Sequence, residues 1–418
     1  MPRSVHVIGA GLAGLAAAVR LAGRSTSIIV HEAASQAGGR CRSYHDPALG
    51  MTIDNGNHLV LSGNHATLAY LAHIGAAGKL AGPPCAEFAF VDLASGERWT
   101  LRINDGPLPW WIFDKKRRVP GTAAAEYFSF ARLLVAPQAK TICQVIRCAG
   151  PLYERLARPF WLAALNTHPR EASAALAGAV TRETLAKGGK YCRPLIARGG
   201  LSQALIEPAM RFLGARKACI EFGHRLRKLE FVQDRVAVLD FAEETITLGP
   251  DDAVVLAVPP PVAADLVPKL APPSRFHAIV NAHFRVKPPA AFPPMVGIVN
   301  GTIEWLFVFP DRLSVTISAA DRLVDMPREQ LAQQIWREVA AVAHLSTDMP
   351  AWQIVRERRA TFAATPEQES KRPVARTAWR NLFLAGDWTR TGLPATIEGA
   401  IRSGNHAADL VAKLMGMS

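Results

Sequence analysis

Near the start of the chain, Val5-His6-Val7-Ile8 runs into Gly9-Ala10-Gly11-Leu12-Ala13-Gly14, and this GxGxxG run limits the fold more than any other feature. The apolar tetrad predicts a buried strand, and Leu15 to Ala22 predict a helix of small residues. Ser27-Ile28-Ile29-Val30 predicts a second strand, ending at His31-Glu32. Together they make a β-α-β unit of about 30 residues, the length of a dinucleotide-binding fingerprint. Gly9 permits a tight turn, Gly11 lets backbone N–H groups reach a pyrophosphate, and Gly14 and Ala18 let helix meet sheet. Leu12 and Ala13 lead into the helix N-terminus, where free N–H groups and the helix dipole favour phosphate charge. Glu32, followed by Ala33, stands where a carboxylate takes a ribose diol. NAD and FAD both satisfy this pattern.

"EAASQAGGRCRS" (Glu32 to Ser43) follows at once. Gly38 and Gly39 with Arg40 and Arg42 set two fixed cations against the same pyrophosphate. This arrangement resembles the GGR motif of the FAD-binding amine-oxidase and phytoene-desaturase superfamily. The resemblance implies FAD as cofactor and an α/β fold, a Rossmann-like FAD-binding domain interleaved with an α+β substrate domain. In that superfamily a late Gly-Asp binds the ribityl chain, and the next helix N-terminus faces the flavin ring. "FLAGDWTRTGLPATIEGAIRSG" (Phe383 to Gly404) fits. Gly386 and Asp387 are implied for the ribityl hydroxyls, and the backbone of Thr396, Ile397 and Glu398 for the ring. Leu226 is implied, through its backbone, for the adenine, and Gly56 and Asn57 for the cofactor's near side.

A length of 418 residues suits two domains. "RGGLSQALIEPAMRFLG" predicts a helix after a glycine turn, "HRLRKLEFVQDRVAVLDF" paired strands, and "DDAVVLAVPPP" a buried strand closed by prolines. The expected cofactor domain is therefore assembled from 1–65, 190–270 and 375–418, and the substrate domain from 66–189 and 271–374. The first substrate piece reads as partly helical. The second alternates like strands and then gives a helix over Arg328 to Ala343.

Four stretches, including Phe383 to Gly404, resemble a narrower group, the hydroxysqualene dehydroxylases of bacterial hopanoid and squalene synthesis. The other three are "DNGNHLVLSGN", "RPFWLAALNTHPREASAAL" and "MVGIVNGTIEWLFVF". Asn57 departs from the pattern, which has glutamine before the histidine. The resemblance implies replacement of an allylic hydroxyl by hydrogen, giving squalene, with hydride from reduced flavin. Such chemistry needs an acid near the flavin, a dry cavity and orientation. His58 is the leading acid candidate, because Gly56-Asn57-His58 returns the chain toward the flavin ring; its other role is to hydrogen-bond backbone or flavin. Asp54 and Asn166 are the secondary candidates. Phe160, Trp161, Trp305, Phe307, Phe309 and Trp388 supply apolar walls for an isoprenoid chain.

Two relatives by fold stay open: a carotenoid-type desaturase, and an amine oxidase, which usually carries a lysine on the strand under the flavin where "AIVNAHF" offers Asn281. The net charge of +13 suits an anionic partner. Basic residues are scattered rather than set in a stripe with stacking aromatics, which argues against nucleic acid. "PLPWWIFDKKRRVPG" (Pro107 to Gly121) sets rings beside four cations and reads either as an anionic membrane surface contact or as a core strand ending in a solvated turn. "YFSFARLLVAP" offers a second apolar face. The glycine spacing and Arg20 argue against a signal peptide, and no run of 18 uncharged apolar residues crosses a bilayer. The expected location is the cytoplasm, peripheral on the inner face of its membrane. Six cysteines without CxxC pairing read as reduced thiols, and no metal site is expected. No motif names an electron donor.

Overall fold

The computed structural model describes residues 3–417. Its first layer is a parallel sheet of five strands in the order Cys219–Phe222, Ser27–Glu32, Ser4–Ile8, Ala253–Leu256 and Leu382–Leu384. Val5 sits between Ile28 and Ala253 in the register. The central strands are mostly Val, Ile and Leu, interrupted by His6 and His31, because helices cover one face of the sheet and other apolar elements cover the second. Ala253–Leu256 is accordingly buried throughout. Leu12–Leu21 follows the first strand, and the chain ends in the helix Ile397–Leu414.

These two helices touch through small residues. A Cβ added at Gly404 would stand 2.1 Å from the Ala13 carbonyl oxygen, so only glycine permits this contact. The packing carries the end of the chain to its beginning, and the N-termini of both helices open on one side. Beside this layer, the antiparallel ribbon Lys228–Val232, Arg235–Asp240 and Thr245–Thr247 shares a core with Val254, Leu256 and Leu384 through Leu229, Val236 and Leu239.

The second layer is a seven-stranded sheet ordered Trp352–Phe362, Phe276–Phe284, Arg312–Ile317, Trp305–Phe309, Met295–Val299, Ala86–Asp92 and Arg98–Ile103. All neighbours are antiparallel except Met295–Val299 against Ala86–Asp92. Strand alternation gives it two distinct apolar faces. Leu306 joins the core under the expected helix Arg328–Ala343. Trp305, Phe307 and Phe309 join Phe90, Trp111 and Tyr127 on the opposite face. The helices Arg158–Leu165 and Ala174–Glu183 precede the connection back to the cofactor-side elements.

The cysteine reading needs correction. Cys143 and Cys148 form a disulfide, because the short helix Ile142–Val145 folds the chain and brings their Cα atoms to 5.3 Å. Cys41, Cys85, Cys192 and Cys219 are free.

Candidate active site

One cavity of about 1630 Å³ runs from the glycine turn to the aromatic face of the seven-stranded sheet. At its first end Gly9 holds φ +104°, and a Cβ there would meet the Ala257 carbonyl oxygen at 2.6 Å. A Cβ on Gly14 would meet the Gly9 oxygen at 1.9 Å, so this glycine serves packing and does not line the cavity. Gly11 is the open one, with nothing within 4 Å of an added Cβ. It begins the helix Leu12–Leu21 without any side-chain cap, leaving the first-turn N–H groups of Leu12 and Ala13 toward the cavity. Gly38 closes the cradle with φ +111° and donates its N–H to Ala10 O at 2.9 Å.

Glu32 accepts from the Ala10 N–H at 2.7 Å and the Ala34 N–H at 2.8 Å. Each carboxylate oxygen keeps a free lone pair, and the residue lines the cavity beside Ala33. Leu226 lines the same end with Arg225 and Arg227. Below it the structure gathers potential metal ligands, which sequence spacing did not show: His31 Nδ1, His224 Nδ1 and Glu221 Oε2 lie within 3.0 Å of one another.

Arg40 lines the cavity as expected for a residue of the cofactor end, and it forks from Nη2 onto both oxygens of Asp387, at 2.8 and 2.7 Å. The two ends of the chain therefore meet in an ion pair inside the cavity, and Asp387 holds the Arg40 guanidinium firmly charged. Arg42 turns its Nη1 to Gly39 O. Gly386, at φ +146°, donates to Ser403 Oγ, and a Cβ there would strike the Trp388 indole.

The loop after Asp387 is clamped by a residue that sequence reading missed. Arg372 is fully buried. It donates to the carbonyls of Asp387, Thr389 and Leu393 and to Thr391 Oγ1, and pairs with Glu369 at 2.7 Å. Thr396 then caps the last helix, accepting from the Gly399 N–H at 3.0 Å. Thr396, Ile397 and Glu398 line the cavity, while the Glu398 carboxylate accepts from Ala66 N, Thr67 N, Thr67 Oγ1 and Arg402 Nε. Its side chain thus caps the helix His65–His73.

Between these ends lie the polar groups nearest the chamber. His58 lines the cavity, with Nε2 4.0 Å from Cys41 Sγ. Burial and the nearby Arg40 charge pull its pKa down to about 4, so the ring is neutral at pH 7. Asn57 and Gly56 also line it. Asn57 Nδ2 donates to Thr316 Oγ1 at 3.1 Å, and its Oδ1 accepts from Ser314 Oγ at 2.8 Å. Asn281, on the strand Phe276–Phe284, accepts from Thr316 Oγ1 at 2.8 Å through Oδ1. Its Nδ2 donates to no partner among the described residues and faces the cavity 3.1 Å from where a Cβ on Gly56 would be. Asn166, in left-handed conformation at φ 46°, lines the cavity with its amide tied to Thr361 Oγ1 and Ala319 N.

Asp54 does not belong to this group. It accepts from Ser43 Oγ at 2.6 Å and Leu201 N at 2.8 Å, buried away from the cavity wall. Phe160, Trp161, Trp305, Phe307 and Trp388 are wall residues as expected, but Phe309 is not; it packs under the Arg312 guanidinium. The open Gly11 cradle, the Glu32 carboxylate and the two helix N-termini that open on one cavity fit a long dinucleotide whose ring system ends beside the aromatic chamber.

The chain matches the family of flavin-containing amine oxidoreductases over residues 12–412. A hydroxysqualene dehydroxylase of Rhodopseudomonas palustris is 59% identical over 412 residues, covering 98% of this chain and 99% of that protein. One from Sinorhizobium fredii is 54% identical over 410 residues, 98% of each chain. Among solved structures, cyclohexylamine oxidase from Brevibacterium oxydans shares the fold, with a TM-score of 0.74 at 16% identity over 99% of both chains.

Proposed function

The chain belongs to the family of flavin-containing amine oxidoreductases, and on that premise we propose that it is an FAD-dependent hydroxysqualene dehydroxylase, replacing an allylic hydroxyl by hydrogen to give squalene. The substrate is the one named for its relatives. What carries the reading in this chain's own geometry is the single cavity that joins a dinucleotide cradle to an aromatic chamber.

The residues divide the work. Backbone N–H groups after Gly11 hold the diphosphate, Glu32 the ribose, and Asp387 with Arg40 the stretch between diphosphate and ring. Bound FAD, when reduced, supplies the hydride that takes the place of the departing hydroxyl. Protonation lets that hydroxyl leave as water, and the allylic cation left behind needs protection from water. Phe160, Trp305 and Phe307 line the chamber, exclude water and set aromatic rings around the site where positive charge develops. The free N–H of Asn281 is positioned to donate to the substrate oxygen, since Thr316 fixes the other end of its amide. His58 is the one imidazole on this stretch of wall. The reading places the protein in the cytoplasm, meeting the membrane from one side; none of its described helices is long and apolar enough to cross one.

The decisive assay follows purified protein and hydroxysqualene under anaerobic conditions, with and without reductant. We expect squalene only with reductant, the product having lost oxygen and gained one hydrogen at the same carbon. A product that keeps its oxygen and loses two hydrogens overturns the reading in favour of a desaturase. If His58 donates the proton, turnover falls with rising pH between 5 and 8, because its protonated fraction shrinks tenfold per unit above about 4. His58→Ala would then slow turnover and leave FAD bound. A flat profile assigns His58 a hydrogen-bonding role.

A further inference from the structure

Five large apolar side chains, Leu108, Trp110, Phe113, Phe128 and Val135, are 56% to 84% exposed and fall within 28 residues of one another. They are half of the ten such side chains among the described residues, and a soluble surface scatters them singly rather than gathering them. Two segments contribute. Trp110–Phe113 is a 3-10 turn, not the core strand that sequence allowed, with Trp111 and Ile112 buried and Trp110 and Phe113 facing out. Phe128–Val135 is a second helical turn, and the Phe113 and Phe128 rings meet at 6.4 Å.

The exposure is built in. Asn104 donates from Nδ2 to the carbonyls of Gly106 and Leu108 and accepts from the Trp111 N–H, stapling the loop. Arg118 holds the Ile112 carbonyl from the far side. The same segments form one lip of the cavity, which is lined by Pro107, Pro109, Trp111, Ile112, Tyr127 and Phe128. Lys115 and Lys116 are exposed beside the ridge and join no ion pair among the described residues.

We propose that this face docks on a bilayer containing anionic phospholipid, its rings inserted at headgroup level and its lysines on lipid phosphates, so that an apolar substrate passes from lipid into the cavity. Amphipathic rings flanked by cations match that interface in both polarity and charge. The docking stands on the exposed residues; the entry of an isoprenoid rests on the dehydroxylase reading.

The test is co-sedimentation with phosphatidylcholine vesicles, with and without one-quarter phosphatidylglycerol. The parent protein should pellet with the anionic vesicles, less at high salt. Leu108→Ser/Trp110→Ser/Phe113→Ser should weaken binding at least tenfold while keeping flavin and turnover of detergent-dispersed substrate. Lys115→Gln/Lys116→Gln should lose about tenfold on anionic vesicles and nothing on neutral ones. Parent protein left in the supernatant, or variants that pellet as it does, overturns the proposal. So does a parent dimer that the triple variant dissolves, which marks the ridge as a contact between copies of this chain. If the triple variant loses flavin, the lysine pair decides. Vesicle binding without conversion of hydroxysqualene leaves the docking standing and removes the dehydroxylase reading.

Discussion

Asp387 shows how one carboxylate serves two partners. Its oxygens take both bonds of the Arg40 fork, yet it stands on the cavity wall, where the proposed cofactor placement would give it a ribityl hydroxyl as a second partner. Asp387→Ala removes a charge-assisted acceptor and also leaves Arg40 without its counter-ion. FAD affinity should fall by roughly 10- to 100-fold, equivalent to about 1.5–3 kcal/mol. Asp387→Asn, which keeps an acceptor, should lose less. Flavin titration by fluorescence checks both; wild-type affinity in the alanine variant removes Asp387 from the cofactor.

At the scale of elements, the loop between Leu382–Leu384 and the last helix forms no helix or strand and makes only short turn bonds, such as Thr389 N–H to Gly386 O. Arg372 adds to them, satisfying three carbonyls and a hydroxyl from one planar guanidinium. Lysine has three donors on a point charge and cannot reproduce that fork. Arg372→Ala strands those acceptors and the buried face of Glu369, so about 3–5 kcal/mol of stability should go with it. Arg372→Lys should fall between. Urea midpoints measure the loss, and flavin content should fall in parallel because Asp387 rides on this loop. Unchanged midpoints would show that water can replace the clamp.

Over the whole molecule, stability should depend on pH through Glu304, which faces a smaller cavity behind the seven-stranded sheet beside Arg158 and Arg322. Its carboxylate accepts from the Ser318 N–H at 2.8 Å, yet burial dominates and pushes its pKa from 4.5 up to about 7. The folded protein therefore keeps this proton after the unfolded chain has released it. Stability from this group is full below pH 4.5, falls as pH rises, and is lost above about 7. The difference is at most roughly 3 kcal/mol, and less to the extent that the cavity admits water. Buried neutral His31, His58 and His283 act in the opposite sense but are common to both proteins, so the parent is compared with Glu304→Gln at each pH: the variant's stability relative to the parent should rise from pH 5 to pH 8. A difference between the two proteins that does not change with pH removes Glu304 as a cause.

The local chemistry of the cofactor end was legible in the sequence because it depends on short range. Gly9, Gly11 and Gly14 fix a turn within six residues, the strands either side are apolar runs, and Glu32 follows at the distance one β-α-β unit sets. The late Gly386-Asp387 turn and the helix capped by Thr396 were readable for the same reason. What sequence could not decide was which distant groups meet. Arg40 and Asp387 are 347 residues apart in the chain and meet through tertiary packing: the strand Leu382–Leu384 joins the parallel sheet, and glycine at 404 lets the last helix lie on the first. Asp54 looked like a site residue by its neighbours but is turned to Ser43 and Leu201, and Arg372, in an undistinguished polar stretch, became the clamp. The Cys143–Cys148 bond needed the bend at Ile142–Val145. The side on which Trp110 and Phe113 emerge was set by the packing of Trp111 and Ile112, since adjacent rings in a tight turn point apart and burial of one pair exposes the other. Backbone preference and local spacing are written along the chain; partnership between remote side chains is decided by packing.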